Sequence, residues 1–230
     1  MRQVRGGLWL TFAAACLMLA CTTTRTQMPA DGRGEAAPEL SRKLSTYVYI
    51  EEGGDLIFTI GVRAAAFHEE SPFFPLEVSV ANKQKGTTWV LRRESFTLYD
   101  EEGRAYGMPT QPELADSYYR RTFDAKLFDA RSVTAQKHEG YRLVDSNFFP
   151  DPFGGITGGP VTVPGGAAVP PASRSLTPSE RVELSAMSFM QDVLYFPHPD
   201  GDLTGARFSL ELRAEGLAEP ARIAFRIPKL

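Results

Sequence analysis

Apolar and polar residues alternate with a period of two over most of the chain beyond Leu44. Leu56, Phe58, Ile60 and Val62 alternate with Ile57, Thr59, Gly61 and Arg63, and Leu76, Val78 and Val80 alternate with Glu77, Ser79 and Ala81. Phe96 and Leu98 keep the same spacing ahead of the turn Asp100-Glu101-Glu102-Gly103. Val182 and Leu184, Val193 and Tyr195, and Phe208, Leu210 and Leu212 repeat it. Ile223, Phe225 and Ile227 close the chain, with Arg222 and Arg226 on the opposite side. Successive side chains of a strand point to opposite faces, so such alternation, bounded by Gly, Pro and Asp, predicts half-buried strands. About eight or nine of them with no βα rhythm predict a mainly β domain over residues 42–230. Its expected form is an antiparallel β-sandwich whose two sheets bury their apolar faces against each other.

Two stretches break the period. Residues 112–138 are rich in Glu, Ala, Arg, Lys and Leu, with Tyr119, Phe123 and Leu127 at i, i+4 and i+8. That spacing predicts an amphipathic helix laid on the sandwich. Residues 150–178 hold Gly or Pro at thirteen of twenty-nine positions, which sustains neither a helix nor a central strand. A long exposed loop is expected there.

The first twenty residues differ from everything after them. Arg2 and Arg5 precede Leu8 to Ala20, an almost unbroken apolar run. It is shorter than the roughly 20 residues a membrane-spanning helix needs and suits a signal-peptide core. Met18-Leu19-Ala20-Cys21 follows, then Thr22-Thr23-Thr24. This resembles the lipobox of bacterial lipoproteins, although Met18 stands where Leu is usual and Leu19 where a small residue is usual. The resemblance implies a diacylglycerol and further acyl (palmitate-type) modification on Cys21, after cleavage of residues 1–20. A rival Ala13-Ala14-Ala15-Cys16 site would leave a shorter apolar run before it. Residues 21–41 have no hydrophobic period and read as a lipidated cysteine followed by a flexible tether, with a reach of about 25 Å. Thr22 in place of Asp favours the outer membrane of a Gram-negative cell under the same resemblance.

Composition narrows the function classes. The net charge of −3 becomes −5 without Arg2 and Arg5, and no basic run appears beyond the leader. This argues against a nucleic-acid partner, whose phosphates reward clustered Lys and Arg. Cys16 and Cys21 are the only cysteines, so the exported domain carries no disulfide and depends on burial.

The segment Leu76-x-Val78-x-Val80-x-Asn82, then Trp89, then Phe96-x-Leu98-x-Asp100-x-x-Gly103-x-x-Tyr106 resembles immunoglobulin-like modules of secreted bacterial lipoproteins. Asn82 would end a strand, Trp89 would fill the core, and Gly103 would take the positive φ of a hairpin turn. The resemblance covers about half of the mature chain and implies no catalytic residue.

Chemistry-bearing motifs are few. The chain has no G-x-S-x-G, H-E-x-x-H, Walker or dinucleotide-binding fingerprint, and no cofactor is expected. The candidate metal clusters are His68-Glu69-Glu70 and His198-Pro199-Asp200-Gly201-Asp202. Neither has zinc or EF-hand spacing, and acids in Gly-containing turns ordinarily bond local backbone. Phe73-Phe74, Tyr118-Tyr119 and Phe148-Phe149 would either form an aromatic platform for a sugar or partner, or close the ends of the sandwich. Glu101-Glu102 reads as a solvated turn. The leading expectation is a non-enzymatic envelope lipoprotein, anchored to the membrane by lipid, with an envelope protein or glycan as partner. The alternatives are an envelope hydrolase or glycan-binding protein using loop carboxylates and aromatics, and a metal-dependent sensor at the histidine–acid clusters.

Overall fold

A computed structural model describes residues 39–67, 71–118, 124, 138–149 and 178–229. The first strands are β1 (Arg42–Lys43), β2 (Val48–Glu52), β3 (Leu56–Gly61), β4 (Phe73–Asn82), β5 (Trp89–Leu91) and β6 (Phe96–Asp100). There follow β7 (Ala105–Gly107), β8 (Arg142–Leu143), β9 (Val182–Leu184), β10 (Ser188–Pro197), β11 (Arg207–Leu212) and β12 (Ala221–Arg226). Every segment with the two-residue period is therefore a strand.

The strands form a six-stranded sheet in the order β1-β2-β3-β4-β10-β8 and a four-stranded sheet in the order β12-β11-β6-β7, while β5 and β9 pair alone. All pairings are antiparallel except that of β8 with β10. One core lies between the two larger sheets. Phe58, Ile60, Leu76, Val78, Val80, Leu194 and Phe196 come from the first sheet, and Phe96, Leu98, Phe208, Leu210, Ile223 and Phe225 from the second. Rings meet across the gap, Phe74 on Phe208 at 5.2 Å and Tyr49 on Phe225 at 6.3 Å. The fold is mainly β, with antiparallel sheets packed as layers.

The landmarks of the middle segment fall where the sequence puts them. β4 ends at Asn82, Trp89 is fully buried, and Gly103 has φ +77° in the turn between β6 and β7.

The expectation of half-buried strands fails for the first sheet. All ten residues of β4 are buried, Glu77 and Ser79 among them. A second apolar cluster of Ile50, Ile57, Ala81 and Phe189 covers part of the outer side, and the His138 ring stacks on Phe189 at 4.5 Å. Beside it, Gln191 Nε2 donates to Glu77 Oε1 at 2.7 Å, so this charge is buried with a partner.

A short helix α1 (Arg63–Ala66) follows β3 and packs its alanines against the core. The helix expected over 112–138 is interrupted. Its start is well specified: Glu113 Oε2 accepts from Thr110 N–H at 2.7 Å, and the Thr110 side chain accepts from Glu113 N–H in return. This capping box, with Pro112 in the first turn, begins α2 (Gln111–Ser117). Tyr118 then turns extended, at φ −140° and ψ 112°. Its ring is buried, edge-on to Phe73 and Tyr195. Burial of one aromatic outweighs continuation of the helix by a turn.

Several expectations lie outside the described residues. They are the leader 1–20, Cys16, Cys21 and the tether up to residue 38, the cluster His68-Glu69-Glu70, Tyr119, Phe123 and Leu127, and the Gly/Pro-rich stretch apart from Pro178. No helix among the described residues is long and apolar enough to cross a membrane.

Candidate functional site

The sequence-level candidates that can be placed are mostly occupied by structure. His198 Nδ1 lies 2.6 Å from the Pro199 carbonyl, which puts the proton on Nδ1, and its ring sits edge-on to Phe74. Asp202 Oδ1 accepts from Thr204 N–H at 2.7 Å. Those hydrogen bonds from Thr204 hold the Asp202 carboxyl below its ordinary value. The acid therefore caps its own turn. Among the described residues no three His, Cys, Asp or Glu side chains come together as a metal would need. Glu101 Oε1 accepts from Arg207 N–H at 2.7 Å, and Glu102 pairs with Arg104 at 3.1 Å.

Among the described residues the aromatic candidates do not form a platform. Phe73, Phe74, Tyr118, Phe148 and Phe149 are all buried within the core. Phe148 meets Phe96 edge-on, and Phe149 meets Tyr195 likewise. They close the sandwich, which was one of the two readings of their sequence.

Three buried polar knots escape sequence reasoning. Asp192 stands on β10 beside Val78, within an apolar run, and is almost wholly buried. Its carboxylate accepts from the backbone N–H groups of Phe148 at 2.9 Å and Val193 at 2.8 Å, so it fastens segment 146–149 to the sheet. Asp124, fully buried, accepts from Tyr118 OH at 2.6 Å and from Tyr195 OH at 3.3 Å. Asn82 joins three backbone segments through its amide. Each satisfies groups that burial would otherwise leave unpaired. All three are closed off from solvent and serve cohesion.

On the described surface a charged array runs over β11, β12 and β6. On β11 the core takes Phe208, Leu210 and Leu212, so Arg207, Ser209, Glu211 and the following Arg213 lie on the other side. On β12 the core takes Ile223 and Phe225, which leaves Arg222, Ala224 and Arg226 outward. The strands pair Arg207 with Arg226, Ser209 with Ala224, and Glu211 with Arg222. Thr97 and Tyr99 of β6 continue two of these rows. The outer side of the second sheet thus carries four arginines around a floor of Ser209 and Ala224.

Glu211 is the acid within that array. It accepts from Arg213 Nε at 2.5 Å and Arg222 Nη2 at 2.6 Å. Burial opposes its ionisation, yet the two guanidinium hydrogen bonds outweigh burial and hold the carboxyl below its ordinary value. Arg222 also lies over the Tyr99 ring at 5.3 Å. Burial, followed by the nearby Glu211 charge, pushes the Tyr99 phenol up. Arg207 and Arg226 have no such partner, since neither guanidinium forms an ion pair among the described residues. The sequence pattern puts Arg222 and Arg226 outward. Only strand register places Arg207 and Arg213 beside them.

Compared with protein families, curated proteins and solved structures, the chain matches none.

Proposed function

We propose that this chain is a membrane-anchored lipoprotein of the bacterial cell envelope, held by lipid on Cys21, whose folded part is a non-enzymatic immunoglobulin-like module for recognition or assembly. The observation that carries the module reading is connectivity. The chain leaves the first sheet after β4, forms β6 and β7 in the second, returns for β10, and crosses again to β11 and β12. The pairings β4 with β10, β6 with β11 and β11 with β12 correspond to the B–E, C–F and F–G pairs of an immunoglobulin-like Greek key. Two departures are plain. No cysteine pair joins the sheets, and the buried Trp89 stands on β5, ahead of the strand that corresponds to C.

The non-enzymatic part is supported by where the reactive groups go. The His198–Asp202 turn, Glu101, Glu102 and the buried acids are all engaged in local hydrogen bonds or ion pairs. The anchor reading rests on the lipobox resemblance and the short apolar leader. Thr22 after the cysteine directs the proposal to the outer membrane of a Gram-negative cell.

Fatty-acid labelling with membrane fractionation tests the anchor. Wild type should label and pellet with membranes, whereas Cys21→Ser should do neither. Should Cys21→Ser still label while Cys16→Ser does not, the acylated residue is Cys16. Absence of label from both wild type and variants refutes lipid anchoring.

A further inference from the structure

We infer that the arginine-bearing outer face of the second sheet docks on an anionic phospholipid surface and lays the domain flat against the membrane that holds its anchor. The inference deepens the lipoprotein reading and takes the membrane, as partner, from it.

Three observations lead there. The first is the arginine pair. Arg207 and Arg226 are direct cross-strand neighbours, an arrangement in which like charges repel. In the next outward row but one, Glu211 stands opposite Arg222 and accepts from its guanidinium. Beside Arg207 the Glu101 carboxylate accepts from the Arg207 backbone N–H, and among the described residues neither guanidinium of the pair forms an ion pair with it. Two neighbouring guanidinium groups with no ion pair among the described residues are suited to an anion brought from outside.

Second, charge is segregated. The chain as a whole is acidic, at −3, yet this face sets Arg207, Arg213, Arg222 and Arg226 against Glu211 and, beside Arg207, Glu101. Arg213 and Arg222 side chains are 67% and 42% exposed even while paired, so they can also reach a phosphate layer. Between them stand the small residues Ser209 and Ala224, both buried. A planar array of cations on a sheet fits a plane of headgroups better than a single bound ion.

Third, the tether joins the domain at this face. Ser41 N–H donates to the Ala224 carbonyl at 2.9 Å, and Ala224 N–H donates to Ser41 Oγ at 2.9 Å. Ala224 lies between Arg222 and Arg226 on the outward side of β12. The chain running back toward Cys21 therefore departs from the border of the cationic face. The anchored end and the arginines would then engage one bilayer together. The anchor would raise the local concentration of headgroups, and the arginines would fix orientation.

The test uses the full chain carrying Cys21→Ser, floated with vesicles of pure phosphatidylcholine or of phosphatidylcholine with a third phosphatidylglycerol. Fatty-acid labelling of wild type runs in parallel, so the anchor reading stands or falls separately. Binding should appear with phosphatidylglycerol, weaken as salt rises, and fall about fivefold per arginine removed, or roughly thirtyfold in Arg207→Gln with Arg226→Gln. The control, Arg142→Gln with Arg181→Gln, removes the same charge from elsewhere on the domain and should retain binding. Circular dichroism melts confirm that both variants fold. Equal binding to both vesicle types overturns the proposal, as does equal loss in the control. Displacement by inorganic phosphate beyond that by chloride of the same ionic strength also overturns it, because it would show a discrete anion site instead of a membrane face.

Discussion

Replacing Asn82 should reveal how much of the fold hangs on a single amide. Asn82 is fully buried at the end of β4. Its Nδ2 donates to the carbonyls of Leu184 at 2.8 Å and Thr87 at 2.9 Å, and its Oδ1 accepts from Gln84 N–H at 2.8 Å. Leu184 lies on β9, directly opposite Trp89 of β5, so the amide ties the two-stranded sheet to the larger one. Asn82→Ala strands one buried carbonyl, which costs about 1–3 kcal/mol, and removes two part-buried bonds worth about 0.5–1.5 kcal/mol each. The expected loss is about 3–4 kcal/mol, a large fraction of the roughly 5–15 kcal/mol by which domains are stable. For a domain of this size that lowers Tm by roughly 10 °C. Asn82→Asp is the sharper variant. It keeps the acceptor for Gln84 but turns a carboxylate oxygen toward two carbonyl oxygens, so it should destabilise at least as much as Ala. Urea and thermal unfolding followed by circular dichroism measure both. A loss below about 1 kcal/mol for Asn82→Ala, or an Asp variant as stable as wild type, would refute this account of the clamp.

The arginine-clamped Glu211 should confer a pH dependence. Its folded carboxyl titrates below the unfolded value, so its contribution is present above about pH 4.5 and is lost as pH falls through the lower folded value. Glu211→Gln should cost about 1–2 kcal/mol at pH 7, discounted for the exposure of both arginines. The gap in urea midpoint from wild type should close near pH 3, and a gap that stays constant contradicts the assignment. Gly216 has φ +89°, and a Cβ there would meet the Thr88 carbonyl oxygen at 2.5 Å, whereas Gly103 at φ +77° has open space. Chemical denaturation should therefore rank Gly216→Ala, at about 2–4 kcal/mol, well below Gly103→Ala, at about 1–2 kcal/mol; the reverse order would contradict the close approach. Burial and the Asp100 carboxylate push the Tyr106 phenol up to about 12. An Asp100→Asn variant should lower its titration toward 10 in ring-resonance measurements, and no change would sever the link between the two groups.

How much of this was legible in the residues depends on the range of the cause. Alternation is local, so the strands around Leu56–Gly61, Phe96–Asp100, Arg207–Leu212 and Ala221–Arg226 could be read directly, as could the mainly β class. Strand β2 was missed because Val48, Tyr49 and Ile50 are all buried, on both sides of the sheet, and show no period. β8 was missed because two residues carry no period and its parallel partner is distant in sequence. Glu77 and Ser79 looked solvated because their neighbours alternate correctly. Yet both are buried, and Glu77 accepts there from Gln191, a residue 114 positions away in sequence.

The candidate sites divide along the same line. The lipobox resemblance at Cys21 is contiguous and needs no fold to be seen. The aromatic pairs were equally visible as residues, but two outcomes were open to them, and only packing decided that they close the core. The cationic face shows the limit most clearly. Arg207, Arg213, Arg222 and Arg226 are scattered over twenty positions among acids, and the period says only that some point away from the core. Their union into one surface is a matter of register between β11 and β12, and of the hydrogen bonds that bring Ser41 to Ala224 from the other end of the chain. Periodicity assigns a side chain to a face; the pairing of strands decides which other side chains share it.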